Sequence, residues 1–348
     1  AGRGMPTRVA ILVTARPSWA KLAPVVMALQ ADPAFEVDLI GAAYALTHDR
    51  SGIVDPAFQP TTRLTAALDA NTGESAALTT SFLALQLAPH LAQTRPALLL
   101  VMADRHETLA GTMAASYLGI PVLHLQGGEV SGNLDDRVRR ANTALSDWHA
   151  VSNAAAYGRV IAAGGHIDRV GITGCPSIDL CRLSKSAPIM TAAELSQYGT
   201  VVWVDPERPF TLVMMHASTE HPETAVVDFI RACDVLGPKI VFWPGADEGH
   251  DAVSKHLRSH PPANAKLVRS LPPDRFLRLL SQATYAVGNS SALIREASYF
   301  GIPRTILGDR QRGRAYTQHA SELYGDGYAV PRLVELCKRA CARAAMKA

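Results

Sequence analysis

Residues 122–140 read VLHLQGGEVSGNLDDRVRR and set Gln126, Glu129, Asp135, Asp136 and Arg139 behind a pair of glycines. So many polar groups on one glycine loop at a strand's end point to a ligand or reaction site, because ligands of open α/β sheets bind there. Glycines where a strand ends let the backbone turn sharply and approach a ligand. The acidic pair also suits a helix start, where Asp135 and Asp136 would cap free N–H groups and favour the dipole without doing chemistry. A second ionisable run, Asp104-Arg105-His106-Glu107, follows the apolar residues 97–102. Four such groups at a strand's end are costly unless paired or used. The structural alternative is an Asp104 that only caps a helix over residues 106–118.

Cations and hydroxyls recur where an anion would sit. Arg16 falls in the turn after residues 8–14, and Lys21 in the first turns of the next helix, an arrangement suited to a diphosphate. Gly288-Asn289-Ser290-Ser291 opens a helix carrying Arg295 and Glu296, so N–H groups and hydroxyls would face an anion. Arg310, Arg312 and Arg314 follow the next strand. His216 ends the buried run 211–215, where a lone histidine is more often structural than catalytic.

The elements that must position these residues alternate strand and helix. Buried-strand runs at 8–14, 35–41, 97–102, 122–125 and 148–152 are separated by helical stretches, including 73–93 and one from Asp136 to about residue 145. Residues 44–69 read as a long irregular connection, a flap over a site. This is the pattern of a doubly wound parallel sheet. It restarts at 211–215, 239–243 and 285–287 with helices at 223–236, 250–258 and 274–282. The fold expected is therefore α/β, with two Rossmann-like doubly wound domains and a ligand held in the cleft between them. The boundaries expected are residues 1–181 for the first domain, 182–208 for a linker, 209–330 for the second domain, and 331–348 for a basic amphipathic helix packing back on the body.

Composition excludes several classes. The 348 residues are 48% hydrophobic, enough for a sizeable core. The 34 basic and 31 acidic residues nearly balance, with no long block of one sign, so no nucleic-acid surface is expected. No apolar run reaches the ~18–20 residues of a bilayer span, so a cytoplasmic chain without a membrane partner is expected. The five cysteines, without a CxxC pair, suggest free buried thiols rather than a disulfide framework. No metal is demanded, since His106 and His124 lack ligand spacing, and no other cofactor is expected. Neither a P-loop nor a GxGxxG fingerprint occurs, which removes the main support for a kinase or a dehydrogenase. Residues 1–4 carry no argument.

The stretches ARPSWAKLAP, DRHETLA, HLQGGEVSGNLDDRVR, GCPSID, LPPDRFLRLL and GNSSALIREASYFGIP, with GDRQRGR after it, occur in the order of the UDP-N-acetylglucosamine 2-epimerase family. The chain resembles its hydrolysing branch from residue 8 to about 318. The resemblance implies a GT-B-like architecture and a reaction that yields N-acetylmannosamine, or a related sugar, and UDP. It places Arg16 and Lys21 near the diphosphate. Ser290, Ser291 and Glu296 would hold phosphate and ribose, and His216 and Arg310 or Arg314 would make further nucleotide contacts. The catalytic set implied is Asp104, Gln126, Glu129, Asp135 and Arg139, with Asp104 and Asp135 matching two of the family's acids. A homodimer or homotetramer is also implied, with a nucleotide sugar or nucleoside as the small-molecule partner.

The chain departs from the pattern at the third acid. The family's HIEGGEVSG is HLQGGEVSG here, and the amide of Gln126 can hydrogen-bond but cannot act as a general base near neutral pH. The family's HGD is Met102-Ala103-Asp104, its small-loop histidine is replaced around Tyr44-Ala45, and Ala20 stands where its serine precedes the lysine. The reading is an enzyme that cleaves a C–O bond by acid/base elimination on a nucleotide sugar or nucleoside-like substrate, with Glu129 or Glu107 as nearby substitutes for the missing acid. The alternatives are a divergent dehydratase or eliminase of a nucleoside-type substrate in secondary metabolism, and an inactive nucleotide-sugar binding protein.

Overall fold

A computed structural model describes residues 5–46, 55, 57–68, 72–132, 135–217, 221–245, 250–315 and 320–346. Seven strands form the first sheet: β1 (Thr7–Val13), β2 (Phe35–Ala42), β3 (Thr62–Leu64), β4 (Leu98–Met102), β5 (Val122–Leu125), β6 (Trp148–Val151) and β7 (Val170–Ile172). Five form the second: β8 (Thr211–Met214), β9 (Lys239–Phe242), β10 (Ala265–Val268), β11 (Tyr285–Gly288) and β12 (Arg304–Ile306). The strand orders are β3-β2-β1-β4-β5-β6-β7 and β10-β9-β8-β11-β12, with every pairing parallel.

Parallel sheets need apolar cover on both faces, and β4 and β5 are buried along their whole length for that reason. One face of the first sheet packs Leu83, Leu87 and Leu91 of helix Gly73–Thr94, and the other packs Leu22, Val26 and Leu29 of helix Arg16–Ala31. Helix Ala329–Ala345 brings Leu333, Leu336, Cys337, Ala340 and Cys341 onto that second face, a 3–4 residue spacing that lines one side of a helix. Helix starts follow capping rules: the hydroxyl of Thr72 accepts from Ser75 N at 3.1 Å, and the Asn153 side chain accepts from Ala156 N at 2.9 Å.

Two expectations are corrected. Residues 44–69 are not wholly irregular, because β3 adds an edge strand on β2; a three-residue, partly exposed strand has too little apolar alternation to announce itself. The flap reading of that stretch falls partly on residues outside those described. Arg16 is the first residue of its helix rather than part of the turn, since Pro17 lies where a fixed φ and a missing N–H suit the first helical turn.

Both strand orders reverse at a switch point, between β1 and β4 in one sheet and between β8 and β11 in the other. Loops that diverge there leave a crevice at the carboxyl ends of the strands. The loops after β5 and β12 meet in it: Gly313 N donates to Ser131 O at 3.1 Å. A Cβ on Gly132 would lie 2.6 Å from Gly313 N, so this backbone contact requires glycine.

Candidate functional site

The site forms where both sets of carboxyl-end loops converge. Glu129, the residue directly after the glycine pair, has its side chain only 6% exposed. Its Oε2 accepts from Arg295 Nη2 and from Arg314 Nη1, each at 2.8 Å, and its Oε1 accepts from the Ser152 hydroxyl at 2.6 Å. Burial alone would raise the Glu129 carboxyl, but Arg295 and then Arg314 outweigh it and hold the pKa at about 2. Glu129 is thus an ionised anchor that draws two guanidiniums from the second sheet's loops.

A second ion cluster lies beside it. Arg139 pairs with Asp104 and with Asp136 and also donates to Glu129 O at 2.8 Å. Asp136 accepts from Ser131 N and Gly132 N at 2.9 and 2.8 Å, so it folds the glycine loop onto the helix start. Asp104 does not cap helix His106–Tyr117, whose N-cap is Arg105. Asp135 is half-buried at the first turn of helix Asp135–Ala144. Glu107 is fully buried and accepts from Arg105 Nε and Nη2 at 3.0 and 2.8 Å. Both carboxylates read as substitutes for the missing acid, Glu129 and Glu107, are thus committed to guanidiniums.

Gln126 itself is buried, and its amide nitrogen contacts Cys175 Sγ at 2.8 Å. Burial pushes the Cys175 thiol up against the opposing pull of Arg295 and Lys21, so it stays protonated. Lys21, half-buried in the first turns of its helix, interacts electrostatically with Arg295, Cys175, Glu296 and Glu129. Burial and then Arg295 lower its ammonium to about 8.

Across the cleft, Gly288 holds φ at 144°, where a Cβ would lie 2.0 Å from Met214 O. That glycine lets β11 turn into Ser290, whose hydroxyl caps the following short helix through Ala292 N at 3.3 Å. Ser291 is half-buried next to it and Glu296 is buried. A polar chain runs from the clamp to the far loops. Arg314 Nε donates to Gln311 Oε1 at 2.8 Å, Gln311 Nε2 to Asn289 O at 3.1 Å, and Asn289 Nδ2 to His216 O at 2.8 Å. His216 Nδ1 accepts from Gly245 N at 2.9 Å, which fixes its ring with that nitrogen unprotonated. Arg310 is half-buried on the same loop as Arg314, and Arg16 is half-buried at the start of the helix after β1.

The structure therefore brings Lys21, Glu129, Glu296 and Arg314 into one electrostatic group, with Asp104 and Arg139 adjoining it and His216 at the end of the polar chain. Arg295, Cys175 and Ser152 complete it without having been assigned a role from sequence, and Asp136, read there as a helix cap, joins it through Arg139. The signal for Arg295 was a charge inside the apolar run ALIREA; Cys175 stood only within the matched stretch GCPSID, with nothing to mark its side chain. Several buried polar atoms here have no partner among the described residues: Arg295 Nε and Nη1, Glu296 Oε2, Gln126 Oε1 and Arg139 Nε. Such atoms cost free energy unless a ligand satisfies them.

Backbone strain concentrates at the same edge. Ala43, Ala103 and Gln126, with φ of 46°, 61° and 63°, follow β2, β4 and β5 respectively. Left-handed non-glycine residues cost about 1–3 kcal/mol each and cluster at functional sites.

Two parallel doubly wound sheets whose carboxyl-end loops enclose a cationic cleft define a two-domain Rossmann-like protein of GT-B-like architecture. Solved structures share this fold. The chain superposes with a TM-score of 0.77 and 18% identity on UDP-GlcNAc 2-epimerase from Neisseria meningitidis bound to UDP-GlcNAc, covering 96% of this chain and 100% of that one. The corresponding values for the Methanocaldococcus jannaschii UDP-GlcNAc 2-epimerase in complex with UDP-GlcNAc and UDP are 0.75 and 15%, over 96% and 100%. The family model for UDP-N-acetylglucosamine 2-epimerase matches residues 27–329, and the chain belongs to that family. It is 30% identical over 227 residues to the UDP-N-acetylglucosamine 2-epimerase of Neisseria meningitidis serogroup B, and 30% identical over 227 residues to the hydrolysing UDP-N,N'-diacetylbacillosamine 2-epimerase of Legionella pneumophila. These matches cover 64% and 63% of this chain and 58% of each relative, so the chain spans under two thirds of the length of those curated relatives. Among the described residues no helix is long and apolar enough to cross a membrane.

Proposed function

We propose that the chain acts on a UDP-linked N-acetylated sugar, losing the proton beside the anomeric carbon as the C–O bond to UDP breaks, with water adding to the resulting unsaturated sugar. The observation that carries this reading is the buried group around Glu129. It assembles Arg295 and Arg314 without exhausting their donors, since the Nε and Nη1 nitrogens of Arg295 have no partner among the described residues. Guanidinium donors suit a diphosphate that gains charge as it departs. Glu296 Oε2, an unpartnered buried acceptor, suits a sugar hydroxyl. The relatives named for UDP-GlcNAc and for a hydrolysing reaction support the substrate class and the branch.

In this scheme Lys21, Arg295 and Arg314 take the diphosphate, with Arg16 and Arg310 flanking it. Ser290, Ser291 and Glu296 take phosphate and ribose, and His216 buttresses the nucleotide loop. Asp104 and Asp135 exchange protons with the sugar, Arg139 orients Asp104, and Glu129 holds the guanidiniums. Gln126 stands where the family places an acid and supplies a neutral acceptor. That substitution also favours a second reading, elimination of a nucleoside-type substrate without the parental epimerisation.

Incubation of the protein with UDP-N-acetylglucosamine in deuterated water, followed by NMR, tests the choice. The proposal expects UDP and N-acetylmannosamine deuterated at carbon 2. Binding of the nucleotide sugar with neither UDP release nor exchange would reject it and favour the second reading.

A further inference from the structure

The turn that carries Asp104 is strained and is held from behind. Ala103 adopts φ of 61° directly after β4, a conformation that L side chains rarely take, and Asp104 leaves that turn to pair with Arg139. The Ala103 carbonyl is engaged by two side chains. His124 Nε2 lies 2.9 Å from it, and Asn142 Nδ2 lies 3.4 Å from it. The opposite side of the imidazole is also engaged: Thr143 Oγ1 lies 3.2 Å from His124 Nδ1. Asn142 is fixed in turn by Thr112, whose hydroxyl donates to Asn142 Oδ1 at 2.8 Å. His124 is wholly buried on β5, next to the strand that feeds the turn.

A carbonyl oxygen only accepts, so His124 must carry its proton on Nε2, and the Thr143 hydroxyl then donates to Nδ1. Each group fixes the next, and the order leaves one tautomer. Burial depresses the His124 pKa to about 4 against the opposing pull of the Ala103 hydrogen bond, so the ring is neutral across the physiological range.

We propose that His124 is a positioning residue: through the Ala103 carbonyl it holds the left-handed turn that sets Asp104 against Arg139 and toward the cleft. Asn142 is the auxiliary tether. The role is specific to this geometry, because glycine at 103 would adopt the same backbone without strain while alanine needs the restraint. The functional part of the inference rests on the reading above that Asp104 exchanges a proton with the sugar; the positional part does not.

The experiment uses the full chain in four forms: wild type, His124→Ala, Ala103→Gly, and the double variant. Crystal structures of the two His124→Ala proteins should show residue 103 leaving the left-handed region in the single variant and regaining it in the double, with Asp104 back on Arg139. A His124→Ala structure that keeps the Ala103 turn and the Asp104–Arg139 pair unchanged overturns the proposal, whatever the activity. Histidine labelled with nitrogen-15 should show His124 protonated on Nε2 alone near neutral pH, and the opposite tautomer overturns it as well. In turnover of UDP-N-acetylglucosamine, His124→Ala should lose about 100-fold in kcat with KM little changed. Adding Ala103→Gly should recover about tenfold. Displacement and rescue in the crystals, with no turnover even by the wild type, would uphold the positioning and reject the substrate assignment.

Discussion

Glu129 Oε2 lies 2.8 Å from Arg314 Nη1, so the loop after β5 is tied to the loop after β12 by a buried ion pair. Arg295 reaches the same oxygen at the same distance. One carboxylate therefore serves two cations, and its removal takes from both the anion they bond, leaving Arg295 only the more weakly acting Glu296. Removing one partner of a buried pair costs about 3–5 kcal/mol. The isosteric Glu129→Gln variant should lower the urea midpoint by an amount corresponding to that range, whereas an unchanged midpoint would show that the clamp carries no stability. The pH dependence has a definite sign. Because the folded carboxyl is depressed from 4.5 to about 2, its contribution is complete above pH 4.5 and is lost as pH falls through about 2.

Lys21 gives the opposite kind of dependence. Burial and Arg295 lower its ammonium from 10.5 to about 8, so folding itself favours the neutral amine. Between pH 8 and 10.5 the unfolded chain binds more protons and stability rises with pH. A diphosphate placed on Lys21 requires the charged form, so UDP affinity should be flat below about pH 8 and fall at most about tenfold per pH unit above it. Isothermal titration at several pH values checks this. Lys21→Arg should remove the slope, since guanidinium stays protonated; a Lys21→Arg protein with the wild-type slope would assign the dependence to another group.

Much of the frame was legible because its signals were strong and local. The apolar runs that became β1, β4 and β5 have the length and composition of buried parallel strands, and the glycine turns at 127–128 and 288 fall at strand ends as read. The pairing of Glu129 with Arg295 and Arg314 was not legible, since 166 and 185 residues separate the partners. Periodicity reports which face of an element is buried; it carries no information on which distant loop a buried charge will meet. The choice between Asp135 and Asp136 was equally hidden. Both suit a helix start, and only the fold shows Asp136 receiving the Ser131 and Gly132 N–H groups. Cys175 read as one more buried thiol, and its contact with Gln126 depends on β5 and β7 ending at the same edge.

The C-terminal helix contributes to the first sheet's core rather than lying loosely on it. Leu333 is fully buried and Leu336 nearly so, both against the face that also holds Leu22, Val26 and Leu29. Truncating a buried leucine to alanine costs about 2–5 kcal/mol through lost transfer energy and the cavity left behind. Leu333→Ala should therefore lower the thermal midpoint markedly, while the same change at the exposed Leu236 should leave it nearly unchanged. Equal midpoints for the two variants would contradict the packing of this helix.

The proposed reaction is tested most directly at Gln126. Its left-handed backbone and its contact with Cys175 hold the amide in the cleft, where its Oε1 has no partner among the described residues. A carboxylate of the same length fits that volume. Burial would raise its pKa, while Lys21 and Arg295, which already act on Cys175 beside it, would lower it. Gln126→Glu should thus place an acid/base group where the chain now has only a neutral amide. General acid/base catalysis is worth about 100- to 10,000-fold, so exchange of deuterium into carbon 2 of UDP-N-acetylglucosamine should rise by at least the lower of these factors if proton removal limits the wild type. Faster exchange with faster UDP release would show that the amide attenuates the parental reaction. Exchange no faster than in the wild type would mean that Asp104 and Asp135 already supply the needed proton transfers, or that the sugar lies elsewhere. The parallel Asp104→Asn variant separates these outcomes, because it abolishes exchange only where Asp104 faces the sugar.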